Sequence, residues 1–136
     1  MKKQIVIAGS GFAGMWAALS AARAITLAGR NDDVGVTVVS PAPTLVIRPR
    51  LYEATIEGMD PDLLQLFDAT GILHVKGRIT SIDPEAHRLE VVDERGVPTS
   101  LEYDKFVLAT GSRLFQPPVP GLSEHGFNVD QLEDAK

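Results

Sequence analysis

Three glycines, Gly9, Gly11 and Gly14, stand at the spacing Gly-x-Gly-x-x-Gly directly behind the apolar run Ile5-Val6-Ile7-Ala8. That combination suits the binding of a diphosphate rather than bond-breaking chemistry. The first glycine permits a tight turn, the second lets backbone approach a pyrophosphate, and the third lets a helix lie close against its strand. Free N–H groups and the partial positive charge at the helix start then face the anion. On this reading Gly9, Gly11, Phe12, Ala13 and Gly14 make up a phosphate-binding turn.

Few other residues qualify for chemistry. Where a dinucleotide site ordinarily carries an Asp or Glu for the ribose hydroxyls, at the end of the second strand, this chain has Ser40 followed by Pro41. A serine offers one hydrogen bond in place of a two-oxygen grip. Arg48 and Arg50 are the side chains best suited to an anionic ligand. The competing reading of both is solvated arginines or an ion pair with Glu53 or Glu57. No residue stands out as acid, base or nucleophile, so no catalytic residue is assigned. The chain has no cysteine, which excludes disulfides, thiolate metal sites and a Cys-x-x-Cys redox pair. His74, His87 and His125 stand singly, without ligand spacing, and no metal site is expected.

The elements around the turn decide what it is. Two lysines, the uncharged run from Gln4 to Ala22 and the ending Ala22-Arg23-Ala24 also fit a secretion signal or a membrane segment. Glycines early in that run weaken a continuous helix by about 1 kcal/mol each, which favours strand, turn and helix instead. Behind the turn, Gly14, Ala17, Ala18 and Ala21 form a helix face of small side chains, suited to close packing on a sheet. Phe12, Met15, Leu19 and Ala22, with Trp16 beside them, form a second stripe read as core, and Gly29 is the helix stop. A second strand over Val34–Val39 completes a β-α-β unit.

Composition sets the outer bounds. With 44% apolar and 23% charged residues, 136 residues suffice for one modest core. The net charge of −5 is unevenly spread, +4 over residues 1–50 and −9 over the remainder. An acidic chain without a basic run disfavours nucleic acid or anionic lipid as partner, while the basic first part can face a small anion.

Downstream, Thr44–Glu53 is expected to be extended or turning, since residues before proline avoid the helical region. A short helix is expected from Asp60-Pro61 to about Thr70, stopped by Gly71, and a third strand over Ile72–Lys76. Residues 78–104 read as a three-stranded antiparallel β-meander, with Asp83-Pro84 and Asp93–Gly96 as its turns. An apolar strand, Phe106–Ala109, then runs into Thr110-Gly111, where a residue without a side chain lets the chain turn beside a bulky ligand. The fold class is therefore α/β, a Rossmann-like parallel sheet carrying a three-stranded meander.

The glycine turn, the meander after the third strand, the phrase Tyr103-Asp-Lys-Phe-Val-Leu-Ala-Thr-Gly-Ser112 and the stretch Pro117–Gly121 together resemble the two-dinucleotide-domain flavoproteins of the pyridine nucleotide-disulphide oxidoreductase superfamily. The segment Ile47-Arg-Pro-Arg-Leu-Tyr-Glu-Ala54 and the absence of Cys-x-x-Cys are similar to its type II NADH dehydrogenase branch. The resemblance implies that the first glycine motif holds the ADP half of FAD, with Ala109, Thr110 and Gly111 lining the same cofactor. It also implies that hydride passes from NAD(P)H to FAD and on to a small acceptor such as a quinone. The second glycine motif and the later Gly-Asp segment of that group do not occur here. Residues 1–116 are then expected to be the first part of an FAD-binding domain and residues 117–136 a connector toward an NAD(P)H domain. The implied location is cytoplasmic, or peripheral to the inner face of the membrane, without a transmembrane segment. Alone, the chain is expected to self-associate and to lack activity. Two rival readings stay open: an oxidoreductase using NAD(P) in this same turn, and a cofactor-binding module without turnover.

Overall fold

The computed structural model describes residues 1–135. Lys136, the last residue of the expected connector, lies outside the described residues. The chain forms β1 (Lys3–Ala8), α1 (Phe12–Leu27), β2 (Val34–Ser40), α2 (Leu64–Thr70), β3 (Ile72–Lys76), β4 (Arg78–Asp83), β5 (Arg88–Val92), β6 (Pro98–Glu102), β7 (Lys105–Leu108), α3 (Leu122–His125) and α4 (Leu132–Ala135). Four strands make one parallel sheet in the order β3-β2-β1-β7, and β4-β5-β6 make a separate antiparallel sheet. This is the α/β arrangement expected, with the meander following the third strand.

The central strands β1 and β2 are buried on both faces, and alternate side chains feed two cores. On one side Ile7, Val36, Val38 and Ile72 pack with Met15 and Ala18 of α1 and Phe67 of α2. On the other, Val6 and Val39 meet Leu89 and Val91 of the meander. The parallel sheet is thus a middle layer between helices and meander, and its C-terminal edge opens between them. Parallel crossover connections require this layering.

Helix α1 ends at Ala28 and Gly29, the latter at φ +64, as its sequence predicts. Gly71 ends α2 at φ +68.

Two expectations are corrected. Helix α2 begins at Leu64 rather than near Asp60, because residues 61–63 pair with the segment after β2 instead of entering the helix. Thr44 and Asp62 form an antiparallel bridge, the Leu63 amide donates to the Pro43 carbonyl at 2.7 Å, and Asp62 Oδ1 accepts from the Leu64 amide at 2.6 Å. Within the segment expected to be extended or turning, Arg48–Arg50 forms a single 3-10 turn. Pro49 sits where its missing N–H costs nothing, and the Leu51 amide donates to the Arg48 carbonyl at 3.1 Å. Phe12 and Trp16, read as core, are 46% and 61% exposed. The sheet takes the Met15–Ala18 side of α1 and leaves theirs to solvent.

Candidate functional site

The glycine turn joins β1 to α1 at the open edge of the sheet. Gly9 adopts φ +104, and a β-carbon there would lie 2.3 Å from the Ala109 carbonyl oxygen. At Gly14 a β-carbon would lie 1.9 Å from the Gly9 carbonyl oxygen, so α1 approaches its own strand to a distance only glycine allows. Gly11 differs. A β-carbon there would meet no protein atom within 4 Å. Protein packing does not require glycine at this position, whereas a ligand laid against the backbone would. Gly11 also caps α1 with no side-chain acceptor, and the first turn contains no acidic residue. The amides of that turn have no intrahelical partners.

In front of the turn lies a cleft of about 630 Å³. Its walls include Gly9, Ser10, Gly11, Ser40, Arg48, Ala109, Thr110 and Gly111. Seven of the ten predicted contact residues are therefore brought to one place by three separate strand ends. Phe12, Ala13 and Gly14 stand beside the cleft in the first turn of α1, not in its walls. Gly111, at φ +75, turns the chain away from β7.

Ser40 is buried, and its hydroxyl is engaged within the protein. Its Oγ lies 2.6 Å from the Ala42 carbonyl and 2.9 Å from His74 Nε2. A carbonyl can only accept, so the hydroxyl proton points to Ala42, and His74 Nε2 must carry the hydrogen that it donates to Ser40. Ser40 keeps one acceptor site and no donor for a ligand. Burial pushes the His74 imidazole below its ordinary value, against the opposing pull of Asp62. Ser10, absent from the sequence prediction, donates to the Thr44 carbonyl at 2.7 Å and ties the glycine turn to the loop after β2. A small polar residue between two motif glycines was the signal that could have drawn attention to it.

The two arginines separate. Arg50 pairs with Glu53 at 2.6 Å and 2.8 Å, which holds the Glu53 carboxyl below its ordinary value. It takes the ion-pair alternative. Arg48 lines the cleft, donates from Nη1 to the Ser112 carbonyl at 2.9 Å and pairs through Nη2 with Asp130. The hydrogen bond from Arg48 holds the Asp130 carboxyl below the usual carboxylate range. Asp130 is the second residue that sequence reasoning missed, since 82 positions separate it from Arg48. Among the described residues no group of three or more His, Asp or Glu gathers as a metal site, and no helix is long and apolar enough to cross a membrane.

The sequence matches the pyridine nucleotide-disulphide oxidoreductase family over residues 3–136. The chain belongs to that family. An NADH dehydrogenase-like protein of Mycobacterium tuberculosis is 41% identical over 133 residues, covering 97% of this chain and 32% of the relative. A demethylphylloquinone reductase of Synechocystis is 27% identical over 98% of this chain and 34% of its own length. The solved structure of NDH2 from Plasmodium falciparum in complex with NADH superposes with a TM-score of 0.78 at 18% identity, over 99% of this chain and 27% of that one. The sulfide:quinone oxidoreductase of Aquifex aeolicus gives a TM-score of 0.74 at 25% identity, over 98% of this chain and 30% of its own. The chain spans about a third of the length of these curated relatives.

Proposed function

We propose that this chain forms the FAD-binding part of an NAD(P)H-dependent flavin oxidoreductase, in which hydride passes from NAD(P)H to FAD and then to an acceptor such as a quinone. One observation carries the reading. Gly11 presents bare backbone to an open cleft at the start of α1, where no packing contact demands glycine. That cradle fits a diphosphate, and the cleft volume falls within the roughly 300–1,000 Å³ usual for ligand sites. Gly9, Gly11, Phe12, Ala13 and Gly14 would hold the diphosphate through backbone. Ala109, Thr110 and Gly111 would border the ring half, and Ser40 would accept from a ribose hydroxyl. The flavin would supply the redox chemistry, and these residues would bind and orient it.

In this reading residues 1–116 belong to the FAD domain and residues 117–136 lead toward the NAD(P)H domain. Quinone chemistry is named for the Synechocystis and Aquifex relatives, which supports the same acceptor class here. A cytoplasmic protein, peripheral to the inner membrane face, would meet such an acceptor. The test is to purify the longer protein that contains this sequence, record its flavin absorbance, and follow NADH and NADPH oxidation with a quinone or dye. A yellow protein that oxidises either nucleotide supports the reading. A colourless protein that binds NAD in this cleft overturns it.

A further inference from the structure

Arg48 is the side chain that crosses the cleft. It leaves the loop after β2, yet it bonds Ser112 in the segment after β7, on the far side of β1. Its Nε donates to the Asp130 carbonyl at 3.0 Å, and Nη2 pairs with the Asp130 carboxylate. A guanidinium carries five N–H donors in one rigid plane, so these partners leave one donor on each terminal nitrogen. A β-carbon at Gly111 would lie 3.8 Å from Nη1, so the cation stands beside bare backbone at the cleft wall.

Asp130 is itself fixed on several sides. Its Oδ2 accepts from the Leu114 amide at 3.2 Å and from Gln131 Nε2 at 2.7 Å, and its amide donates to Asn128 Oδ1 at 2.8 Å. Of this pair Arg48 lines the cleft and Asp130 does not, so the cation is the nearer of the two to anything bound there; Asp60, Arg78, Arg113 and Glu133 are the other charged residues in the lining. Dinucleotide folds place the adenosine ribose at the end of the second strand, here Ser40. With the diphosphate at α1, the other half of the ligand would have to extend across β1 toward Gly111 and Ser112, the end that Arg48 occupies.

We propose that Asp130 is a positioning residue that locks the Arg48 guanidinium across the ring end of the cleft, where the fixed cation favours the reduced flavin. The inference rests on the FAD reading of the cleft. When a dihydronicotinamide gives up hydride, the nicotinamide is oxidised and the flavin gains two electrons and one proton. The ring then holds added negative charge unless a second proton follows. A cation held in place at that end stabilises this charge without having to reorganise.

The test is a redox titration of the flavin in the longer, FAD-loaded protein, with thermal unfolding recorded alongside. R48Q is expected to lower the flavin potential. D130N is expected to lower it too, and the double variant no further than R48Q alone. A raised potential in D130N would make Asp130 a mere counter-charge, and an unchanged potential with a lower Tm would make it merely structural. Either result overturns the proposal. R48K keeps the charge and loses the planar fork, so it decides the matter even if D130N fails to fold. A lowered potential in R48K supports positioning, and a wild-type potential overturns it. A wild-type protein without flavin would instead overturn the FAD reading itself, and this inference with it.

Discussion

At the residue scale, the three motif glycines do different jobs, and substitution separates them. Alanine at Gly14 would drive a β-carbon to 1.9 Å from a backbone oxygen that cannot rotate away. G14A should therefore destabilise the fold by about 1–3 kcal/mol or more, as overpacking does, in a urea titration. A second residue-level prediction concerns acid. Asp104 accepts from Lys3 Nζ and from the Gln4 amide, both at 2.8 Å, and the lysine bond first of all holds its carboxyl below the ordinary value. A carboxyl lowered in this way stabilises the fold above the ordinary carboxylate range. That contribution is lost as the pH falls through the range toward the lowered value. Stability measured from about pH 6 down to pH 3 should thus fall more steeply in the wild type than in D104N.

At the element scale, sandwiching the parallel sheet between helices and meander creates the cleft edge. Leu89 of β5 is fully buried against Val6 and Val39 and joins the meander to the sheet. L89A should cost about 2–5 kcal/mol by denaturant unfolding, typical for a buried leucine. Most of this architecture could be read in advance. Strands such as Ile5–Ala8 and Val34–Val39 are apolar runs ended by glycine or proline, and Gly29 and Gly71 mark helix ends through local backbone chemistry alone. What could not be read depends on contacts between distant segments. The late start of α2 comes from pairing of residues 43–44 with 61–63, and Arg48 obtains its partner from Asp130. The exposure of Phe12 and Trp16 depends on which side of α1 faces the sheet, which a helix carrying two apolar stripes leaves open. Of the site, backbone positions were legible because glycine spacing reports them, whereas the hydrogen-bond partners of Ser10 and Asp130 lie in distant segments that no spacing reveals.

At the scale of the whole molecule, the sheet ends on β7, whose outer side pairs with no strand among the described residues. Leu108 on that strand is 64% exposed, and Phe115 and Phe127 beyond it are 79% and 102% exposed. An unpaired edge beside apolar surface invites association. The isolated 136-residue chain should therefore scatter light as a species heavier than the 14.6 kDa monomer, and a monomer across the concentration range would refute this. The account as a whole depends on the bare backbone of Gly11. Alanine fits that position without a clash and should cost under about 1 kcal/mol of stability as a change of helix cap. The deciding measurement is FAD binding by the longer protein and its G11A variant, each stripped of flavin and titrated by fluorescence. The structure predicts a G11A protein as folded as the wild type that has lost most of its FAD affinity. Wild-type affinity in G11A would contradict a diphosphate seated on this turn.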